Sequence, residues 1–446
     1  MMQLGGSTIL RAGGLFFGPR TRANSALALL GEEKGLAVNY MGNSFAERDV
    51  FLDLGQATEY GTFSRSGAGT YLDRNRIWRT AGTDVLRLTH DPVTGEPLGA
   101  LLEGARAEPV RQSANMSPSS SVWSSSAIFA AVNPKASVFA GATAWEHVAD
   151  GVTSRGRFVG VTVDVSTNYR ASIIVEDTDN PADKVTFGLY KNGDSSPWRG
   201  LGDYDWAANA LTQRQGNISD AKVYDWGVGP NGGRLRRLSF LVNSGAAGAD
   251  RFFVYPNSVG VPLAGQSTII HHASLSPLPY DTSPIITGDA AGFQAADSMS
   301  FARPGTPEGT VVIRGRTAAG VGNSDQCIWQ WDDGTRGSRY YLVRTPQRRI
   351  AFLAKSADVE VAKLANLGVV ADDTVLSVAV SFKAAEMAGS LNGAAPVIVA
   401  PTGALPTVST MRVGSDIAVY PWQGTVASLR LTPRATDLSD LPGLLS

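Results

Sequence analysis

Aromatic and acidic side chains concentrate in one stretch of the chain, residues 197–233. Flat aromatic rings can cover the apolar face of a pyranose sugar, and nearby carboxylates can accept hydrogen bonds from its hydroxyl groups. The candidate glycan contacts are Trp198, Asp203, Tyr204, Asp205, Trp206, Tyr224, Asp225 and Trp226. The same rings could instead pin long loops onto a sheet or fill a contact between subunits, so a structural interpretation stays open.

Carboxylates that could cleave a glycan as a pair are harder to find. Glu176, Asp177 and Asp179 come nearest, but they stand just before a predicted loop. His271 and His272 are neighbours on a predicted strand, where consecutive side chains point to opposite faces, so they form a poor two-ligand set. The sequence contains no Gly-x-Ser-x-Gly elbow and no P-loop. We therefore predict that the protein is not an enzyme and has no catalytic residues.

Two acidic pairs, Asp332–Asp333 and Asp372–Asp373, could contribute oxygens to a calcium ion. Calcium needs six or more converging oxygens, and both pairs stand where polar hairpin turns are expected. A zinc site would need an unusual ligand set, because the chain has four histidines and the single cysteine Cys327. We predict no metal site and no cofactor.

The composition favours strands and turns over long helices. The 446 residues include 49 glycines and 23 prolines, and 43% are hydrophobic, which is enough to build cores. The net charge of −1 gives no footprint for nucleic acid, and the cluster Arg234, Arg236 and Arg237 fits a solvated strand face better than a nucleic-acid patch. No apolar run approaches the roughly 20 residues that span a bilayer, so we expect no membrane insertion.

Hydrophobic residues recur with a period of two, which is typical of half-buried strands. The residues predicted to face a core are Val159, Val161, Val163 and Val165 in one strand, Leu376, Val378, Val380 and Phe382 in a second, and Ala427, Leu429 and Leu431 in a third. Many such short strands, separated by Gly, Asn, Asp or Pro, indicate antiparallel sandwiches. The predicted fold class is all-β, with tandem antiparallel β-sandwiches after a small irregular N-terminal region.

Residues 62–106 resemble a segment that recurs in the fibre proteins of tailed bacteriophages. The segment has a Phe-x-Arg opening, an Arg-Thr-Ala step, an Asp-Pro-Val-Thr-Gly turn and a final strand that ends in Glu-x-x-Arg. The matching residues are Phe63, Arg65, Thr70, Tyr71, Arg79, Thr80, Ala81, Asp91, Pro92, Val93, Thr94, Gly95, Leu101, Leu102, Glu103 and Arg106. By their chemistry these residues are architectural, since Pro92 presets a turn and Gly95 allows a positive φ.

Two further resemblances cover most of the remaining chain. Residues 115–288 are similar to the carbohydrate-binding-like jelly roll that follows this segment in such fibres, including its ending at Thr282–Gly288. Residues 289–446 resemble a concanavalin A-like or laminin G-like sandwich, in the order of a hairpin at Leu391–Gly393, a strand at Met411–Gly414 and a closing strand after Trp422.

These patterns predict four parts. They are an N-terminal virion-docking segment (1–60), a small Gly-rich β segment (61–112), a jelly-roll carbohydrate-binding-like domain (113–284) and a concanavalin A-like or laminin G-like sandwich (285–446). The third begins with residues 113–126, where eight serines mark a linker or loop. Segment 61–112 is too small to bury a core alone, so we expect it to pack on a neighbour or on copies of itself.

The resemblance implies a structural virion protein that projects from the particle as a tail fibre or spike and attaches to a host-surface glycan. A head decoration protein on the capsid and a capsule-degrading glycanase are the alternatives. The implied partners are other virion proteins and further copies of the chain, as a homo-oligomer and commonly a trimer. The implied location is the virion, assembled in the bacterial host cytoplasm, which the single cysteine suits.

Overall fold

The computed structural model of the chain describes residues 50–53, 62–126, 129–152, 155–191, 198–257, 259–302, 305, 308–317, 320, 324–417, 420–432 and 434–445. These residues form antiparallel β-sheets, and their one helical turn is a 3-10 helix at Pro442–Leu445. The predicted all-β class of antiparallel sandwiches is confirmed. Apart from Val50–Asp53, the predicted docking segment 1–60 lies outside the described residues. Within the described ranges, no helix has the length and hydropathy to cross a bilayer.

The strands before the central sandwich are β1 (Val50–Asp53), β2 (Thr62–Ser64), β3 (Gly69–Leu72), β4 (Trp78–Ala81), β5 (Leu88–His90), β6 (Pro97–Leu102) and β7 (Arg106–Glu108). The central strands are β8 (Ser124–Ser125), β9 (Ala131–Ala136), β10 (Thr143–Val148), β11 (Arg157–Val163), β12 (Asn168–Glu176), β13 (Lys184–Lys191), β14 (Trp198–Asp205), β15 (Ala210–Gly216), β16 (Ile218–Val228), β17 (Arg234–Asn243), β18 (Gly248–Tyr255) and β19 (Ser267–Ser276). The C-terminal strands are β20 (Gly292–Gln294), β21 (Ser298–Ala302), β22 (Gly309–Thr317), β23 (Gln326–Asp332), β24 (Arg339–Arg344), β25 (Arg349–Ser356), β26 (Val359–Val369), β27 (Val375–Lys383), β28 (Glu386–Leu391), β29 (Val397–Val399), β30 (Thr410–Val413) and β31 (Gly424–Thr432).

The central sandwich packs two six-stranded sheets face to face, in the orders β16-β17-β12-β19-β10-β9 and β15-β14-β13-β18-β11-β8. Val159, Val161 and Val163 of β11 are buried in its core, as their alternation predicts. The prediction for Val165 is wrong, because β11 ends at Val163 and Val165 is 64% exposed in the turn that follows. Ser166 has a positive φ of 50°, so the turn reverses the chain there.

The C-terminal sandwich packs the sheet β29-β28-β27-β22-β31-β6-β5, in which β1 also pairs with β31, against the sheet β2-β21-β30-β23-β24-β25-β26. All four predicted inward residues of β27 are buried. In β31 the prediction for Ala427 is wrong, since Val426 and Leu429 are buried while Ala427 is half-buried. The pairing with β22 shifts register at this point, and such a bulge reverses the alternation of side chains.

Segment 61–112 packs on a neighbour within the same chain. Strands β2, β5 and β6 extend the two sheets of the C-terminal sandwich, and β7 pairs with β20. The serine-rich stretch 113–126 packs on the central sandwich, where Met116 and Trp123 enter the core. The boundaries of the four predicted parts stay a prediction, but the pairing shows that the second and fourth share sheets.

Buried charges connect these parts. Arg87 donates to Glu103 (Nη1–Oε2 2.8 Å) and to Asp297. Arg65 donates to the same Asp297 (Nη1–Oδ1 3.2 Å), and Arg106 contacts Glu103 (Nη1–Oε2 3.2 Å). The side chains of all five are at most 4% exposed. Breaking a buried ion pair is strongly unfavourable, because each charge would then have neither a partner nor water around it. The network therefore fixes the loops of segment 61–112 against the start of β21.

Candidate functional site

The eight candidate glycan contacts lie in three separate places. Trp198 lies on the outer face of the central sandwich, where its ring meets Tyr190 and Phe253 with centroids 5.0 and 5.5 Å away. Phe253 also stacks on Phe158 at 4.9 Å and on Tyr255 at 5.7 Å. These five rings form a platform on strands β11, β13, β14 and β18, which we call the outer aromatic platform.

Four of the eight residues belong to strand β14 and the turn that follows it. The rings of Tyr204 and Trp206 are 0% and 2% exposed and lie in the core of the central sandwich. Asp203 accepts a hydrogen bond from Thr186 Oγ1 at 2.6 Å. Asp205 accepts from two backbone N–H groups of its own turn, at 3.0 and 2.9 Å. Their contacts hold β14 in place, and none of the four lines either of the two cavities described below.

The remaining three, Tyr224, Asp225 and Trp226, line a cavity of about 380 Å³. We call it the junction cleft, because it lies where strands that precede the central sandwich, strands of the central sandwich and strands of the C-terminal sandwich meet. Its walls come from strands β4–β6 with the loop between β5 and β6, from β16 and β17, and from the ends of β22 and β31. A cavity of this size lies within the range of small-ligand sites.

An indole pair forms the apolar wall of the junction cleft. Trp78 and Trp226 have ring centroids 6.0 Å apart at an interplanar angle of 40°. Phe139 stacks behind Trp78 at 6.2 Å, and the rest of the buried cluster is aliphatic: Leu72, Val138, Ile174 and Leu235. A second cavity of about 110 Å³ shares both indoles. The wall is therefore anchored from behind, while both indoles border open space.

The polar part of the lining contains Tyr224 and Asp281. The Tyr224 hydroxyl donates to Asp281 Oδ2 at 2.9 Å, and burial together with this carboxylate raises the pKa of Tyr224 above its usual range. Burial acts to raise the pKa of Asp281, but the Arg237 and Arg170 guanidiniums outweigh it and hold the pKa below its usual value. This part of the lining thus carries a neutral phenol and an ionised carboxylate at neutral pH.

Charged side chains surround the mouth of the cleft. Arg316 joins two loops, with Asp373 at 2.8 Å from its Nε and Asp91 at 3.4 Å from its Nη1. Asp225, whose side chain is 60% exposed, accepts from Arg236 Nη1 at 2.6 Å. Burial acts to raise the pKa of Asp91, but the backbone N–H groups of its turn and the Arg316 guanidinium outweigh burial and hold the pKa below its usual value.

Several polar atoms on cleft residues have no partner within the described part of the chain. They include Nε1 of Trp78, Oε1 of Gln423, Oγ1 of Thr425 and Nε of Arg237. Buried polar groups are normally hydrogen-bonded, so unpaired ones beside a cavity are groups that a ligand or water can satisfy after a small adjustment. The cleft therefore combines an apolar ring wall with unused hydrogen-bonding capacity.

The carboxylates considered for catalysis are used elsewhere. Glu176 is buried and meets His271 Nε2 at 3.1 Å and Asn231 Nδ2 at 2.8 Å. Burial acts to raise the pKa of Glu176, but these hydrogen bonds lower it below its usual value. His272 is also buried and lies 3.1 Å from the Ile285 carbonyl oxygen. Asp177 accepts from Arg234 Nε at 2.6 Å, and Asp179 is exposed.

The acidic pairs considered for calcium are held by arginines. Asp332 accepts from Arg412 Nε at 2.9 Å, and Asp372 accepts from Arg344 at 2.6 Å and from Arg348 at 2.7 Å. In the ranges that the structure describes, no three His, Cys, Asp or Glu side chains come together as a ligand group for a metal. Cys327 is buried, and burial raises the pKa of its thiol well above the usual value.

Comparisons with known proteins find only distant structural similarities to this chain. No protein family and no curated protein sequence matches it. Among solved structures, the CBM40 module of the Ruminococcus gnavus IT-sialidase, bound to α2,3-sialyllactose, covers 32% of this chain and 84% of its own, with 15% identity and a TM-score of 0.28. A SAP-like pentraxin from Limulus polyphemus covers 33% of this chain and 75% of its own, with 12% identity and a TM-score of 0.27.

A further likeness spans more of the chain. Domains LG4-5 of the mouse laminin α1 chain cover 70% of this chain and 96% of their own, with 10% identity and a TM-score of 0.24. At such identities and scores these similarities carry no argument about the fold or the ligand. The function has to be argued from the junction cleft itself.

Sequence reasoning named three of the lining residues, Tyr224, Asp225 and Trp226, as sugar contacts and missed the others. Asp91 was interpreted as architectural, Trp78 of the same segment 62–106 was not singled out, and Arg316 and Thr425 stood out by no motif. The sequence feature that could have pointed to Asp91 as a cleft residue is the turn at Asp91–Gly95, because a tight turn after a short strand places polar side chains at the end of a sheet.

Proposed function

We propose that this chain is a non-catalytic glycan-binding protein and that a sugar occupies the junction cleft. The observation that carries the proposal is the combination of an indole wall with unpaired polar atoms around one cavity. A pyranose has an apolar C–H face and a rim of hydroxyls, so it complements such a cavity on both sides. Trp78 and Trp226 supply the stacking face, and Asp225 supplies an exposed acceptor at the mouth.

The ionisation of the cleft carboxyls supports binding without cleavage. A glycosidase with two carboxyl groups needs one of them protonated near neutral pH to serve as general acid. Asp91, Glu103 and Asp281 line the cleft, and the pKa of each is held below its usual value. Each is therefore an acceptor of hydrogen bonds and a poor proton donor.

We further propose that the chain is a surface-projecting structural subunit of a tailed-phage virion, as a tail fibre or spike. Support comes from the residues of segment 62–106 that resemble phage fibres, and this segment contributes Trp78 and Asp91 to the cleft. In this proposal the protein assembles in the host cytoplasm as a homo-oligomer, commonly a trimer, and the cleft contacts a host-surface glycan. Immunogold imaging of virions distinguishes the tail from the capsid as the point of attachment.

The site is tested with paired tryptophan variants of the full chain. Trp226→Ala removes one indole of the cleft, whereas Trp198→Ala removes one ring of the outer aromatic platform and serves as the matched control. We expect Trp226→Ala to lower the affinity of the purified protein for host-envelope polysaccharide at least ten-fold and Trp198→Ala to leave it within two-fold. Asp225→Ala, which removes an exposed side chain without leaving a core cavity, should lower the affinity several-fold.

The outcomes separate the site from the fold. Thermal melting of each variant establishes that the sandwiches remain folded. Loss of binding in Trp198→Ala with full binding in Trp226→Ala would move the site to the outer aromatic platform. Equal binding by all three variants and the parent chain would end the proposal of a sugar in the junction cleft.

A further inference from the structure

We propose that the junction cleft selects uncharged sugars, namely neutral hexoses and N-acetylhexosamines, and rejects glycans that carry sialic or uronic acids. This inference rests on the proposed glycan-binding function and adds the chemical class of the ligand. It follows from the charges around the cleft and from the way that the cationic side chains there are already engaged.

Carboxylates dominate the mouth of the cleft. The side chains of Asp225 and Asp373 are 60% and 46% exposed, and that of Asp91 is 20% exposed. All three line the cavity. A carboxylate on a ligand would enter among these like charges, and the repulsion at contact distances is screened only in part by salt at the edge of a cavity.

The two arginines that line the cleft in the described ranges already face carboxylates. Arg316 is shared by Asp91 and Asp373. Arg237 lies 3.5 Å from Asp281 and is 11% exposed at its side chain. A bidentate grip on a carboxylate needs two parallel N–H groups of one guanidinium, and here the acidic partners compete for them.

Two other arginines near the cleft do not change this balance. Arg236 is engaged by Asp225, and its side chain is 7% exposed. Arg76 is exposed, but it lines the smaller cavity and not the junction cleft. An anionic sugar in the cleft would thus lose its hydration without gaining a guanidinium that is free of acidic partners, whereas neutral hydroxyls can donate to the carboxylates.

The test uses a printed array in which neutral oligosaccharides stand beside sialylated, uronic-acid and sulfated forms of the same backbones. We expect the full chain to bind at least one neutral backbone and to bind its anionic form at least ten-fold more weakly. Raising the salt concentration from low to physiological should narrow that difference, since repulsion between exposed charges is screened.

Variants identify the carboxylates responsible. Asp373→Asn releases Arg316 from its shorter ion pair, so the preference for the neutral form should fall by several-fold. Asp225→Asn removes a charge without releasing a lining arginine, so it should lower the preference by a smaller factor. Asp437→Asn changes an exposed acid that does not line the cleft, and it should leave the preference unchanged.

The results separate this inference from the function on which it rests. Binding of anionic forms as tightly as neutral ones overturns the charge selection while the glycan site stands. Neutral preference that survives both cleft variants in full also overturns it, because the selection would then have another source. Absence of binding to every neutral and anionic glycan on the array contradicts the proposed function itself.

Discussion

The indole rings of Trp78 and Trp226 lie 6.0 Å apart and join two distant parts of the chain, since Trp78 belongs to strand β4 and Trp226 to strand β16. Strand β4 pairs with β3 in a small hairpin, and a backbone bridge joins Trp78 to Phe139 of the central sandwich, so the indole pair is one of the contacts that hold the hairpin in position. One indole pair therefore both helps to anchor segment 62–106 and forms the apolar wall of the junction cleft.

Replacing Trp78 should consequently affect stability and binding together. Trp78→Ala removes a side chain that is 8% exposed, and we expect the free energy of unfolding to fall by about 3 kcal/mol, as for other large-to-small core changes. Trp78→Phe keeps a ring in the same place and should cost less. Urea denaturation followed by circular dichroism measures both. If Trp78→Ala unfolds at the same urea concentration as the parent chain, the hairpin does not depend on the indole pair.

The buried charges between segment 61–112 and the C-terminal sandwich give a second prediction. Asp297→Ala would leave Arg65 and Arg87 without a shared carboxylate in a place that water does not reach, so unfolding should become easier by about 3 to 5 kcal/mol. Glu386→Ala removes a surface partner of Lys383 and should cost at most about 1 kcal/mol. Similar losses in the two variants, measured by urea denaturation, would contradict the importance of the buried network.

The sequence predicts the sandwiches well because strand periodicity is a local property. Leu376, Val378 and Phe382 alternate and are all buried, as expected. The two errors in this reasoning, at Val165 and Ala427, fall at the end of a strand and at a bulge. At both places one turn or one unpaired residue changes the face to which the next side chain points, and composition does not reveal it.

The junction cleft was less predictable because its walls come from distant parts of the chain. Trp198, Trp206 and Trp226 stand close together in the sequence, and grouping them was natural. Strands β14, β15 and β16 separate the three indoles. Trp198 therefore faces outward, Trp206 enters the core and Trp226 reaches the cleft. The partner of Trp226 is Trp78, and only the packing of the β3–β4 hairpin on the central sandwich brings the two indoles together.

Buried histidines should make the protein sensitive to acid. Burial, followed by the nearby Arg157, lowers the pKa of His147 to about 3, and burial lowers that of His272 to about 4. When folding lowers the pKa of a histidine, the contribution of that histidine to stability is fully present at a pH above the pKa of the unfolded state, near 6.5. This contribution is lost as the pH falls toward the pKa of the folded state. Each of the two histidines should therefore lower the free energy of unfolding by about 2 kcal/mol when the pH falls from 7.5 to 5.

The variant His272→Gln tests this dependence. Glutamine keeps an N–H group that can reach the Ile285 carbonyl oxygen, but it does not take up a proton. We expect the loss of stability between pH 7.5 and pH 5 to be smaller in the variant than in the parent chain. Identical losses in urea titrations at the two pH values would show that His272 does not titrate in the way that its burial indicates.

Two buried glutamates on adjacent parts of the chain should respond to pH in opposite directions. Burial raises the pKa of Glu108 to about 7, because hydrogen bonds from Ser274 and two backbone N–H groups offset the desolvation only in part. Burial also acts to raise the pKa of Glu103, but Arg106 and Arg87 outweigh it and lower the pKa far below its usual value.

Because the pKa of Glu108 is raised in the folded chain, its contribution to stability is fully present at a pH below the pKa of the unfolded state, near 4.5. The contribution is lost as the pH rises through 7. Glu108→Gln should therefore unfold less easily than the parent chain at pH 8, by up to about 3 kcal/mol, and the advantage should vanish near pH 5. Glu103→Gln is the matched control with the opposite sign, since its carboxylate is stabilised when charged, and this variant should be less stable at pH 8. Urea denaturation of both variants at pH 5 and pH 8 tests this prediction. If the Glu108→Gln variant unfolds at the same urea concentration as the parent chain at both pH values, the buried carboxyl group does not change its ionisation in this range.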